Sequence, residues 1–212
     1  MLFDFRELPR VDRYKILGSS VTPRPIAWVT TRGADGVTNA APYSFFNVMG
    51  DDPPTVALGL LPSKGGLKDT ASNIVETGEF VVNLVSEAMA EAMNVTCMDA
   101  PRGVDELALA GVAALPSQVV APVRIADAPV SFECRVLHAI ETGPAQTIVI
   151  GEVLVAHVRD DLVLDAERRH LDTPAMGLVA RMHGAGWYAR STDLFQLDRP
   201  TYAGWLAAQR GE

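Results

Sequence analysis

Lys68-Asp69-Thr70 places a cation, a carboxylate and a hydroxyl side by side at the start of helix-like composition over residues 71–76. Lys68 and Thr70 can meet a phosphate, and the first amides of a helix add partial positive charge at the same point. Asp69 can instead act as a helix cap, in which case the stretch 63–73 holds only the start of an ordinary capped helix with one solvated lysine. A second stretch, residues 24–47, sets Asn39 and Ser44 among small residues on extended backbone. Small side chains let a flat heterocycle such as an isoalloxazine approach closely, and amides and hydroxyls pair with its polar edge. A polar hairpin with a proline-rich exit accounts for the same residues equally well. A third stretch, residues 181–200, gathers His183, Trp187, Tyr188 and Arg190 around two glycines. It suits a nicotinamide pocket, a contact between two copies, or a C-terminal segment docking through its aromatics.

Other chemistries lack their residues. No G-x-G-x-x-G follows a strand and no G-x-x-x-x-G-K-[ST] occurs, and Lys64-Gly65-Gly66 alone is a weak signal. Neither a G-x-S-x-G elbow nor an H-E-x-x-H pair is present, so nucleophilic hydrolysis and zinc proteolysis have no support. His138 and His157 fall inside strand-like segments and read as structural. Cys97 and Cys134 are too few and too far apart for a disulfide framework or a cysteine zinc site. No metal is expected.

The 212 residues carry a formal net charge of -8, with 48% hydrophobic and 21% charged residues. That balance indicates one globular domain spanning 1–212 and argues against nucleic acid and anionic membrane surfaces as partners. No apolar run approaches the ~20 residues of a membrane span, and MLFDFRELPR lacks the apolar segment of a secretory signal. The expected location is the cytoplasm.

The elements that must position these groups are mostly strands. Residues 1–20 read as a lead-in, and Pro23-Arg24-Pro25 favours extended backbone. Residues 26–31 and 37–41 form a strand pair across the turn Arg32-Gly33-Ala34-Asp35-Gly36, and Pro42 opens an interruption over residues 42–47. Further strands are expected at 55–61, 80–85, 130–140 and 147–158, with a turn at Glu141-Thr142-Gly143-Pro144. Short helices are expected at 71–76, stopped by Thr77-Gly78, at 86–93 with Ser86 as cap, and at 105–110. Short-spaced strands without regular strand–helix alternation predict an antiparallel barrel rather than a doubly wound sheet.

The order of these clusters resembles the flavin reductase-like, FMN-binding split-barrel family. The resemblance rests on TPRPIAWVTT at 22–31, NAAPYSFFN at 39–47, Lys68-Asp69-Thr70 with Asn73-Ile74, and TGEFVVN at 77–83. A looser match closes it at His183-Gly184, Tyr188-Ala189-Arg190 and Arg199-Pro200. It covers residues 14–200 and implies a mainly β, six-stranded, Greek-key-like split barrel. It further implies a homodimer holding FMN non-covalently at its interface, with residues 181–212 contributing to the dimer or the cofactor site. The phosphate would then fall to Lys68, Asp69 and Thr70, with Ser44 and Asn47 nearby. Ring contacts would come from Thr30, Asn39, Ala40 and Ala41, with Arg24 and Phe46 as neighbours. His183 and Tyr188 would face the nicotinamide. The implied activity is NAD(P)H-dependent flavin reduction, which names no catalytic side chain and leaves room for an oxygenase or other acceptor of reduced flavin. An FMN-holding electron carrier without a nicotinamide site, and a non-enzymatic split-barrel module, are the alternatives.

Overall fold

The computed structural model describes residues 1–62 and 67–210. Lys64-Gly65-Gly66 lies outside the described residues.

The first 20 residues are more than a lead-in, because α1 spans Arg10–Ser20. Its only buried residue is Gly18, so no apolar stripe betrays the helix. It is tied down from outside itself. Arg24 Nη1 donates to the carbonyls of Gly18 and Val21, each at 2.6 Å, and Arg24 Nη2 donates to the carbonyl of Met182 at 3.0 Å.

Four strands then follow: β1 Ala27–Arg32, β2 Thr38–Tyr43, β3 Phe46–Asp51 and β4 Pro54–Leu60. Gly36 takes a positive φ of 82°, which lets the β1–β2 turn close through a Gly36 amide to Gly33 carbonyl bond of 2.9 Å. Helix α2, Asp69–Thr77, stops at left-handed Gly78, whose amide returns to the Ile74 carbonyl at 2.9 Å. After it come β5 Glu79–Leu84, α3 Ala90–Val95, α4 Glu106–Leu109, β6 Val130–Gly143 and β7 Gln146–Val158. Ser86 stands at the cap of a 3-10 turn leading into α3, and its side chain makes no capping bond.

One antiparallel sheet of seven strands, ordered β2-β1-β5-β6-β7-β4-β3, forms the barrel. The count exceeds six because the stretch from Pro42 does not simply interrupt the chain. Phe46–Asp51 pairs back on Pro54–Leu60 as an edge hairpin. Val179–Arg181 and Tyr188–Arg190 join the two-residue strand Arg24–Pro25 in a small second sheet, and α5 spans Tyr202–Arg210.

Two cores flank β1. Ala27 and Val29 pack with Leu58, Phe80 and Val149, while Ile26 and Trp28 pack with Val85, Met93 and Ile125. Residues 27–31 are thus buried on both faces, which is why they show no apolar–polar alternation. Asn83, fully buried, joins the layers. Its Nδ2 donates to the Trp28 carbonyl at 2.9 Å, and its Oδ1 accepts from the Ile125 amide at 2.9 Å and the Ser131 hydroxyl at 2.8 Å.

Candidate functional site

The register of β2 sends Asn39, Ala41 and Tyr43 to one side and Ala40 to the other. Asn39, Ala41 and Tyr43 face the N-terminus of α2, where Lys68 stands at the cap position. Among the described residues no side chain caps that terminus, and Asp69 is the first helical residue rather than the cap. Its leading amides are therefore open to an anion. The two elements meet directly: Asn39 Nδ2 donates to Thr70 Oγ1 at 2.8 Å, with both residues buried.

Between them lies a cavity of about 580 Å³, within the range of small-molecule sites. Asn39, Ala41, Lys68, Asp69 and Thr70 line it, which unites five of the residues singled out in the sequence. The segment between α3 and α4, with Cys97, Asp99 and Arg102, and Glu106 of α4 also line it.

Several of these groups have altered acidities. Tyr43 is 7% exposed, and burial pushes its hydroxyl up to about 12. The nearby Thr70 hydroxyl opposes that shift without completing a hydrogen bond, and Tyr43 OH has no partner among the described residues. The Lys68 ammonium lies 5.9 Å from the Tyr43 ring centroid, a cation–π distance that holds it over the cavity. Burial raises Glu106, although its carboxylate accepts from the Ala40 amide at 2.9 Å. The Cys97 thiol is raised by burial, and the charges of Arg181 and Lys68 counter this. Arg181 of the small sheet therefore lies within Coulombic reach of the cavity wall.

The other expected site residues stand elsewhere in the chain. Ala40 is fully buried in the second core. Thr30 is buried and donates to the Val123 carbonyl at 2.5 Å. Arg24 donates from Nε to the Ser44 hydroxyl at 3.3 Å, which ties both to α1 and the small sheet rather than to the cavity. Phe46 packs at the margin of the main core, and exposed Asn47 accepts from the Val48 amide at 2.9 Å. His183 stacks on Trp187 at 6.1 Å, and the Arg181 guanidinium lies 4.9 Å from the Tyr188 ring centroid. Tyr43, Cys97, Arg102 and Glu106 are cavity residues that the sequence did not mark as such. Only Glu106 had a local signal, the Asp105 cap of a short helix, whose side chain accepts from the Ala108 amide at 3.1 Å. Among the described residues no group of three or more His, Cys, Asp or Glu side chains could hold a metal. None of their helices is long and apolar enough to cross a membrane.

Residues 19–173, well over half of the chain, match the family described as flavin reductase like domain. The chain belongs to the flavin reductase like family. A Deinococcus radiodurans protein, itself uncharacterised, is 47% identical over 96% of this chain and 91% of its own length. Among solved structures, nitrilotriacetate monooxygenase component B from Bacillus cereus superposes with a TM-score of 0.87 at 32% identity, covering 93% of this chain and 98% of its own. The 2-nitrobenzoate 2-nitroreductase of Pseudomonas fluorescens gives 0.86 at 34% identity, over 95% and 98%. A split barrel domain from Shewanella frigidimarina gives 0.79 at 20% identity, covering 94% of this chain and the whole of its own, a likeness of fold. Among flavin reductase like chains, this one is a split barrel whose candidate site sits where β2 meets α2.

Proposed function

We propose that this protein is an NAD(P)H-dependent flavin reductase that binds FMN non-covalently in the cavity between β2 and α2. The observation that carries the reading is the convergence of Asn39 and Thr70, at 2.8 Å, beneath an uncapped helix N-terminus and Lys68. The donor set fits a phosphate: helix amides, one ammonium and two hydroxyls, Thr70 and Tyr43, all offer hydrogen to an acceptor-only group. The relatives whose names specify a reaction, a monooxygenase component and a nitroreductase, lend the redox reading its support.

Hydride acceptance is the chemistry that the flavin supplies when bound. The chain's part is to bind and orient. Lys68, Thr70 and the α2 amides hold the anionic tail, and Ala41 keeps one wall thin enough for a ring to lie against the backbone. Arg24, Thr30 and Ser44 brace the strands that carry these groups. We assign the nicotinamide side to the His183–Tyr188 corner, where His183 stacks on Trp187 and the Arg181 guanidinium lies 4.9 Å from the Tyr188 ring centroid. No side chain is required as acid, base or nucleophile.

A homodimer completes the proposal, with Phe46, Asn47 and residues 181–210 on the face that a second copy would cover. Reduced flavin would pass to an oxygenase or another acceptor. Work in the cytoplasm is part of the same reading. The purified protein is expected to be yellow, or to become so with FMN, and to bleach anaerobically with NADH or NADPH. A preparation that binds no FMN and consumes neither nucleotide defeats the reading. Bound FMN without nucleotide consumption points to the electron carrier instead.

A further inference from the structure

The layer beneath the phosphate-binding groups has a direction of hydrogen bonding that bears on ligand choice. Asn39 is 8% exposed in the middle of β2, and its Nδ2 donates to Thr70 Oγ1 at 2.8 Å. An amide nitrogen only donates, so this bond fills an acceptor position of the hydroxyl oxygen and leaves the hydroxyl proton for another partner. Among the described residues no hydrogen bond from that proton is completed, the neighbouring Tyr43 hydroxyl included. Tyr43 OH is the second such group: it is buried, it belongs to a residue of the cavity lining, and it has no partner among the described residues. Buried hydroxyl protons without an acceptor are rare in folded proteins. Two of them lie beside the α2 N-terminus and the Lys68 ammonium, on a lining that also carries the carboxylates of Asp69, Asp99 and Glu106. A ligand rich in acceptors, such as a phosphate, would take up these hydroxyl protons.

We propose that Asn39 is a positioning residue: by donating to Thr70 it commits the Thr70 proton to the ligand, and so makes the site select a phosphorylated flavin over the same flavin without phosphate. This rests on the flavin reading above and reassigns Asn39 from the ring to the anionic tail. The bond does more than stabilise the fold, because its direction sets whether Thr70 meets a ligand as donor or acceptor.

The test compares dissociation constants of FMN and riboflavin, by flavin fluorescence quenching, for wild type, Asn39→Ala, Thr70→Val and the double variant. Asn39→Ala is expected to weaken FMN about tenfold, the loss of roughly one charge-assisted hydrogen bond, and to leave riboflavin unchanged. In the Thr70→Val background the Asn39 substitution is expected to cost nothing further, because it acts through that hydroxyl. Equal losses for FMN and riboflavin would make Asn39 a ring contact and overturn the proposal. So would an Asn39→Ala loss that persists without the Thr70 hydroxyl. Should Asn39→Ala fail to fold, near-isosteric Asn39→Asp takes its place. A carboxylate there accepts the Thr70 proton, so FMN affinity must fall while riboflavin affinity holds, and an unchanged FMN affinity overturns the idea. Inorganic phosphate, read as a shift in thermal midpoint, separates the two readings. A wild type that binds no flavin but gains a phosphate shift abolished by Asn39→Ala loses the flavin reading and keeps the role of Asn39. A wild type that shows neither flavin binding nor a phosphate shift removes both.

Discussion

Glu133 shows how one side chain can organise a loop at the residue scale. It is fully buried on β6, where its carboxylate accepts from the Gln118 and Val119 amides, each at 2.7 Å, and bonds His157 Nε2 at 2.6 Å. Burial works to raise its pKa, yet these hydrogen bonds outweigh burial and hold it below the ordinary glutamate value of 4.5. A carboxylate with a depressed folded-state value contributes stability that is present above the unfolded value and lost as pH falls through the folded one. Unfolding by denaturant is therefore expected to become easier as pH drops below about 4.5, with a shallower fall in Glu133→Gln. Parallel pH profiles for the two proteins would refute this role. At neutral pH the substitution should cost about 2–4 kcal/mol, since hydrogen bonds to a charged acceptor are being weakened. At the cavity, Lys68→Ala combined with Thr70→Ala should weaken FMN binding by about tenfold or more for each hydrogen bond to the phosphate that is removed. Titration of the apoprotein with FMN checks it, and unchanged affinity would remove the phosphate assignment.

At the scale of elements, the long β6–β7 hairpin depends on a close approach. A Cβ built on Gly151 would lie 2.4 Å from Phe80 Cζ and 2.8 Å from Phe80 Cε1. Phe80 is fully buried on β5, and the β6–β7 register shifts between Ile150 and Gly151. The ring occupies the space that a side chain would need, so the two strands and the barrel interior are coupled at one point. Gly151→Ala is expected to destabilise the protein by about 1–3 kcal/mol, the usual cost of overpacking a filled core. Combining it with Phe80→Leu should recover part of that loss. A Gly151→Ala variant with an unchanged denaturation midpoint would show that Phe80 has room to move.

At the scale of the whole molecule, the C-terminal part of the chain has no core of its own. Leu194, Phe195 and Leu197 are exposed, Phe195 at 84%, and α5 buries none of its residues. Apolar side chains gathered on one exposed segment mark a surface that another molecule covers. Light scattering is expected to report a dimer for the wild type and a shift towards monomer when Leu194, Phe195 and Leu197 are all replaced by Ser. A monomeric wild type, or a variant that stays fully dimeric, would take this segment out of the assembly. The net charge of -8 gives the molecule a field that repels a phosphate ligand at long range. Under the proposed phosphate assignment, binding would rest on the local donors of α2 and Lys68, and raising ionic strength is not expected to abolish it.

Much of the fold is legible in the sequence. Strand after strand of β-branched and aromatic residues and two glycine turns determine the β class, and Lys68-Asp69-Thr70 marks a helix start, because local backbone preference and helix-end chemistry are properties of neighbouring residues. Asn39 and Thr70 both stand out as polar residues of interest, but not that they bond each other across 31 positions. Arg24 and Ser44 look from the sequence like ligand contacts, and in the folded chain Arg24 donates to the Gly18 and Met182 carbonyls and to the Ser44 hydroxyl. Tyr43, Cys97 and Arg102 carry no local pattern that marks a cavity, since a residue joins one only through the pairing of distant strands and helices. Composition and short-range periodicity encode which element forms. Which faces of those elements meet, and so which side chains share one buried space, is decided only when the sheet closes and packs.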